Sequence, residues 1–337
     1  MKTFDLDTEL PKLLTGQRRA LAKAITLIES ERIDHQEQAA LLLERLIPLA
    51  GHSLRVGISG IPGVGKSSFI EALGMRLLEN NGDIPNPPKK IAVLAIDPSS
   101  SKSGGSILGD KSRMQNLSAH PNTFIRPSPT SGNLGGVARR TLETILACEA
   151  AGYDLILVET VGTGQNEIAV SQMTDVFLLM TMAHTGDELQ GLKRGIMEMA
   201  DLVVIHKADI DPVATRNTQT ELLHALKWIP PRHSNWTPQV ITASSQTGDH
   251  LAQIWAHLTE CQQALGPQIV QQRLAQSRFW FERLLQERVW NAFLSEQEDK
   301  IKSEWDLVRQ GETTISKAIE VLTESCFKPS SRQKSEL

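Results

Sequence analysis

The stretch Leu54-Arg-Val-Gly-Ile-Ser-Gly60-Ile-Pro-Gly63-Val-Gly65-Lys66-Ser67-Ser68 decides the fold. Leu54–Ser59 is a short apolar run with the texture of a buried strand, and a helical pattern follows over Ser67–Glu79. Between them lies GxxxxGKS. Gly60, Gly63 and Gly65 let the backbone curl so that successive N–H groups point at one place. The helix behind aims the positive end of its dipole at the same place. Residues Gly60, Ile61, Pro62, Gly63, Val64, Gly65, Lys66, Ser67 and Ser68 therefore form a candidate cradle for nucleotide phosphates. Lys66 would reach the terminal phosphates, and the Ser67 hydroxyl is a hard oxygen ligand suited to Mg²⁺.

Outward from this stretch, strands and helices alternate as far as Gly266. The apolar runs Ile91–Asp97, Thr123–Arg126, Leu155–Glu159, Val176–Met182, Leu202–His206 and Val240–Ala243 read as strands. Helical patterns lie at Val137–Ala151, Gln190–Met199, Val213–Lys227 and Leu251–Leu265. This order predicts an α/β fold, a mainly parallel sheet covered by helices on both faces. Ligands in such sheets bind beyond the carboxyl ends of the strands. The flanks are helical. We expect an N-terminal helical segment over 1–50, a nucleotide-binding domain over 51–266, a C-terminal helical segment over 267–328 and a flexible tail over 329–337. Asp34 is a plausible cap for the helix that carries Leu41, Leu42, Leu46 and Ile47. In the C-terminal segment Leu274, Phe281, Leu285, Val289 and Phe293 form an apolar stripe that needs a partner surface.

Phosphoryl transfer needs charge neutralisation, so acids at other strand ends become candidates. Glu159 closes one strand in ETVGTGQ, and Gly162 follows where a backbone N–H could approach a γ-phosphate. Asp97 closes another strand, Asp110 lies in GGSILGD, and Asp187 lies in AHTGDE. Ser67, Asp97, Asp110 and Glu159 are candidate metal ligands, and Asp187 is a candidate switch residue. Lys66, Glu159, Asp110 and Gly162 are the candidates for catalysis.

His206-Lys207-Ala208-Asp209 follows a further strand. The usual guanine-reading tetrad is Asn-Lys-x-Asp. Its Asp carboxylate accepts from the ring N–H and the exocyclic amine of guanine, a pair that adenine lacks. Its Asn bonds a ring nitrogen of the base and ties the loop to the phosphate site. Lys207 and Asp209 are retained and His206 is the departure; a neutral His can donate only one such bond. Ser244 and Ser245, after the last strand, fit a loop that supports the base.

Composition narrows the classes further. The chain has 337 residues, 40% of them hydrophobic and 22% charged, and a net charge of −4. That is globular composition with no basic surplus for nucleic acid or an acidic membrane. The three cysteines, Cys148, Cys261 and Cys326, form no paired motif, so a reducing compartment is expected. No signal sequence or spanning apolar run is visible, and a cytoplasmic protein is expected.

Taken together, GIPGVGKSS, DPSSSKSGGSILGDKSRM, TSGNLGGVARRT, CEAAGYDLILVETVGTGQNE and DELQGLKRGIMEMADLVVIHKAD resemble the ArgK/MeaB family of P-loop GTPases, from about residue 10 to 325. The resemblance implies GTP, GDP and Mg²⁺ as ligands. It implies a homodimer formed by the C-terminal helices and a partner, an adenosylcobalamin-dependent acyl-CoA mutase, chiefly methylmalonyl-CoA mutase. It also implies that Asp97, Asp110, Glu159 and Asp187 sit on mobile loops around the nucleotide. Two rival activities remain: an ATPase or protein kinase linked to lysine, arginine and ornithine transport, and a metal-delivery GTPase. Asp209 speaks against the first, and the scattered histidines speak against the second.

Overall fold

A computed structural model describes residues 4–80, 82–97, 114–129, 134–160, 167–183 and 194–327. Three helices come first: α1 (Leu6–Leu14), α2 (Arg18–Ile28) and α3 (Ile33–Leu46). Asp34 does not cap α3. Arg32 holds the cap position, and Asp34 lies in the first turn with its carboxylate on the Arg32 guanidinium at 2.6 Å. Capping needs the residue just outside the helix, and the helix already starts at Ile33, which leaves Asp34 inside the first turn.

Seven parallel strands follow among the described residues: β1 (Leu54–Gly60), β2 (Ile91–Asp97), β3 (Thr123–Pro129), β4 (Leu155–Thr160), β5 (Val176–Met182), β6 (Leu202–His206) and β7 (Gln239–Ala243). Their spatial order is β3-β2-β4-β1-β5-β6-β7. β1 is therefore central, paired with β4 on one side and β5 on the other. The interleaved helices are α4 (Lys66–Leu78), α5 (Gln115–Ala119), α6 (Leu134–Ala150), α7 (Glu167–Ser171), α8 (Arg194–Met197), α9 (Pro212–Leu226) and α10 (Leu251–Leu265). The strands and helices read from the sequence appear within a few residues. Thr123–Arg126 runs on to Pro129, and of Gln190–Met199 only Arg194–Met197 lies in a described helix.

Alternation along β1 divides its side chains between the two faces. Leu54, Val56 and Ile58 join Phe69, Ile70 and Leu73 of α4 and Trp255 and Leu258 of α10 in one core. On the other face Arg55 meets Glu149 of α6, with Nε and Nη2 each 2.8 Å from its carboxylate oxygens. Ile58 lies in register with Glu159 of β4, and Gly60 with Met180 of β5. The sheet thus brings the carboxyl ends of β1 and β4 to one edge.

Residues 1–279 form one compact unit and residues 280–337 a second. Helix α11 (Gln268–Glu296) starts in the first and ends in the second; α12 (Glu298–Arg309) and α13 (Ile315–Phe327) follow. In the first unit Arg273 of α11 reaches Asp175, with Nε at 2.8 Å and Nη2 at 2.6 Å, and also the carbonyls of Gly51 and Ser53. Among the described residues no helix is long and apolar enough to cross a membrane.

Candidate active site

The turn between β1 and α4 is held by glycines where side chains have no room. Gly60 has φ +155°, and a Cβ there would lie 2.2 Å from the Met180 carbonyl oxygen. Gly65, the residue before α4, has φ +96°, and a Cβ there would come within 2.9 Å of the His206 ring. The first is a clash with backbone, and the second combines a left-handed conformation with a ring packed against the chain. The N-terminus of α4 faces the resulting hollow.

Lys66 is buried and curls over its own loop, with Nζ 2.7 Å from the Gly60 carbonyl oxygen and 3.2 Å from that of Ile61. Burial pushes its pKa down, and the carboxylates of Glu159 and Glu167 oppose that shift. The Ser67 hydroxyl donates to Glu159 Oε1 at 3.0 Å. Glu159 is only 4% exposed. Beside it, Thr160 Oγ1 donates to Ser59 Oγ at 3.0 Å, which joins the ends of β4 and β1.

The base-side residues gather at the ends of β6 and β7. His206 Nδ1 lies 2.7 Å from the Val64 carbonyl oxygen and Nε2 lies 2.6 Å from Ser245 Oγ. Lys207 is left-handed, with φ +58°, and its Nζ donates to the Gly63 carbonyl at 2.8 Å. The Ala208 N–H donates to the Ala243 carbonyl at 3.1 Å, so the two loops are stitched together. Ser244 is buried, and its hydroxyl accepts from the N–H groups of Gln246 and Thr247. Asp209 is exposed at the rim. Gly65, Ser68, His206, Lys207, Asp209, Ser244 and Ser245 line one cleft of about 580 Å³.

The sequence reading missed the opposite wall of this cleft. Glu71, Ala72 and Met75 lie one and two turns beyond Ser68 on α4, together with Asn116 of α5. Helical spacing from Ser68 was the available signal. Glu71 also accepts from the N–H groups of Asn116 and Leu117, at 2.8 and 3.2 Å, and so fixes α5 against the cleft. Glu167, another buried acid acting on Lys66, follows directly after ETVGTGQN.

The structure thus joins residues 60–68 with Glu159 on one side and with His206, Lys207, Ser244 and Ser245 on the other. Asp97 ends β2, but its side chain lies outside the described residues, as do Asp110, Gly162 and Asp187.

Residues 21–298 match the family model described as methylmalonyl Co-A mutase-associated GTPase MeaB. A probable GTPase of Mycobacterium bovis is 48% identical over 92% of this chain and 91% of its own. The methylmalonic aciduria type A homolog, mitochondrial, of Mus musculus is 46% identical over 83% of this chain and 69% of its own. A solved structure titled LAO/AO transport system kinase covers 97% of this chain and 99% of its own, with a TM-score of 0.77 and 32% identity. With the phosphate loop and the base-side cleft built from the same residues that carry the sequence resemblance, this chain belongs to the MeaB family of P-loop GTPases, which bind guanine nucleotide and hydrolyse GTP to GDP and phosphate.

Proposed function

We propose that this GTPase is a nucleotide-gated chaperone of an adenosylcobalamin-dependent acyl-CoA mutase such as methylmalonyl-CoA mutase, acting in the cytoplasm as a homodimer. The observation that carries this reading is the match over residues 21–298 to a model whose description names that mutase. The name of the mouse relative, methylmalonic aciduria type A homolog, supports it.

In this reading the N–H groups of residues 60–67 cradle the phosphates. The Lys66 ammonium exchanges the Gly60 and Ile61 carbonyls for phosphate oxygens. Ser67 and Glu159 bring hard oxygen donors to within 3.0 Å of each other at the mouth of the loop, a set that fits Mg²⁺. Asp97 and Asp110 complete the candidate set. Mg²⁺ held there would neutralise charge on the terminal phosphates. Gly162 approaches the γ-phosphate and Asp187 belongs to the segment that relays the nucleotide state to the mutase. Asp209 reads guanine, Lys207 lies along the base, and Ser244 and Ser245 shape its pocket.

Arg139 and Arg140 pair with Glu143 and Glu31 at 3.4 and 2.9 Å, which favours structural or partner-facing roles over that of an arginine finger; Arg113, the third candidate, lies outside the described residues. With no arginine finger assigned among the described residues, slow intrinsic hydrolysis that partner contact raises is expected. In α11 Phe281, Leu285 and Val289 are 67, 50 and 58% exposed, an apolar stripe suited to a second copy of the chain.

The test is GTP turnover with and without purified methylmalonyl-CoA mutase, alongside co-purification of the two. A rise in turnover and a nucleotide-dependent complex are expected. Turnover indifferent to the mutase, with no complex, overturns the client. The transport-kinase title of the solved relative favours a second reading. Calorimetric titration with GDP, GTP and ATP, with and without Mg²⁺, separates the two, because a transport-linked ATPase would prefer ATP.

A further inference from the structure

The departure at His206 changes how the base is read, and the hydrogen bonds around it say how. A carbonyl oxygen only accepts, so the 2.7 Å contact with Val64 puts a proton on Nδ1. A neutral imidazole has one N–H, and that one is then spent. Nε2 is left as an acceptor, and at 2.6 Å it takes the single proton of the Ser245 hydroxyl. Burial, the largest influence on this ring, favours the neutral form.

The ring is also fixed in place. Phe69 meets it edge to face, with centroids 6.1 Å apart and planes at 79°. Its Cε1 and Nδ1 lie 2.9 Å from where a Gly65 Cβ would be, so the ring is pressed against the phosphate-loop backbone. Turning it toward the cleft would break both hydrogen bonds and disturb this packing.

We infer that His206 is a positioning residue that fastens the phosphate loop to the Ser244–Ser245 loop and offers guanine N7 no donor. Of the two tasks of the usual Asn, the imidazole keeps the fastening and gives up the base contact. This rests on the guanine site proposed above. Discrimination falls on Asp209, which recognises the N1–H and 2-amino pair. The site therefore accepts purine nucleotides altered at position 7 and rejects those altered at position 2.

The experiment is calorimetric titration of the full chain with GDP, 7-deaza-GDP and IDP. GDP and 7-deaza-GDP should bind within about 2-fold of each other, and IDP at least about 10-fold more weakly, since it leaves a charged acceptor without one donor. His206→Asn should restore an N7 donor and make 7-deaza-GDP weaker than GDP by about 5-fold or more. A positioning role adds a further expectation: His206→Ala should weaken GDP and 7-deaza-GDP by the same factor.

A wild-type preference for GDP over 7-deaza-GDP of about 5-fold or more overturns the inference. So does a His206→Asn ratio that stays at one, because position 206 would then lie out of reach of N7. The wild-type ratio needs no substitution, so a variant that fails to fold leaves the decision to it. Failure of all three nucleotides to bind overturns the nucleotide site itself, a different outcome from an altered ratio.

Discussion

Ser67 Oγ donates a 3.0 Å hydrogen bond to Glu159 Oε1 across 92 residues of chain. The pair joins the first turn of α4 to the end of β4, and both residues belong to the metal set proposed above. Glu159→Gln keeps the size of the side chain and removes its charge. Turnover should fall at least about 10-fold and require more Mg²⁺, as for loss of a charged oxygen from the proposed metal set, while GDP binding changes little. Phosphate release measured against Mg²⁺ concentration checks this, and an unchanged Mg²⁺ dependence would remove Glu159 from the metal set.

Gly65→Ala should destabilise the chain and weaken nucleotide binding. The left-handed φ of +96° and the 2.9 Å approach to His206 both oppose a Cβ. The backbone part alone is worth about 1–3 kcal/mol. Urea unfolding should show it, and adding His206→Ala should recover the part caused by the ring. Equal losses in both backgrounds would mean that the ring is not in contact.

Arg273→Met should destabilise the first unit by about 3–5 kcal/mol, because the buried Asp175 carboxylate loses its cationic partner and, among the described residues, keeps only the hydrogen bond from the Arg55 N–H at 2.9 Å. Arg273→Lys should lose most of the same energy. One ammonium cannot reproduce a guanidinium fork that reaches both Asp175 oxygens and the carbonyls of Gly51 and Ser53. Equilibrium urea unfolding of the three chains distinguishes these cases, and a Lys variant as stable as the wild type would contradict the fork.

His206 introduces a pH dependence of known sign. Burial is the main cause that holds its pKa below the usual 6.5, with Lys207 acting in the same direction and Val64 and Asp209 opposing. The unfolded chain then binds the proton more readily. The stabilisation is complete above 6.5 and is lost as pH falls through the depressed folded value. Denaturation midpoints compared from about pH 8 to about pH 5 should show the wild type losing stability relative to His206→Asn as the pH drops. Parallel curves would show that the ring does not titrate in this way.

Much of the architecture was legible because it is local. Most strands are short runs dominated by apolar residues and the longer helices carry an apolar face, so length and period together separate them. Asp34 shows where local reading stops. Its residue type suits a cap, but the helix starts one residue earlier, at Ile33, so it sits inside the first turn and pairs with Arg32. Glu71 shows the same limit at the site. It reads as an ordinary helix-surface acid until α5, 45 residues away, places its N–H groups on that carboxylate.

The phosphate loop was readable from one contiguous segment, because strand, glycines, lysine and serine follow one another and the backbone geometry comes with them. Tertiary structure decided who meets that loop. Alternation in a strand states which face is buried, never which strand lies beside it. Only the order β4-β1-β5-β6-β7 brings Glu159 to Ser67 and swings the β6 end toward the loop, so that His206 reaches Val64 across 142 residues. The imidazole's double engagement follows from that packing, because hydrogen-bond partners are set by neighbours in space and not in sequence.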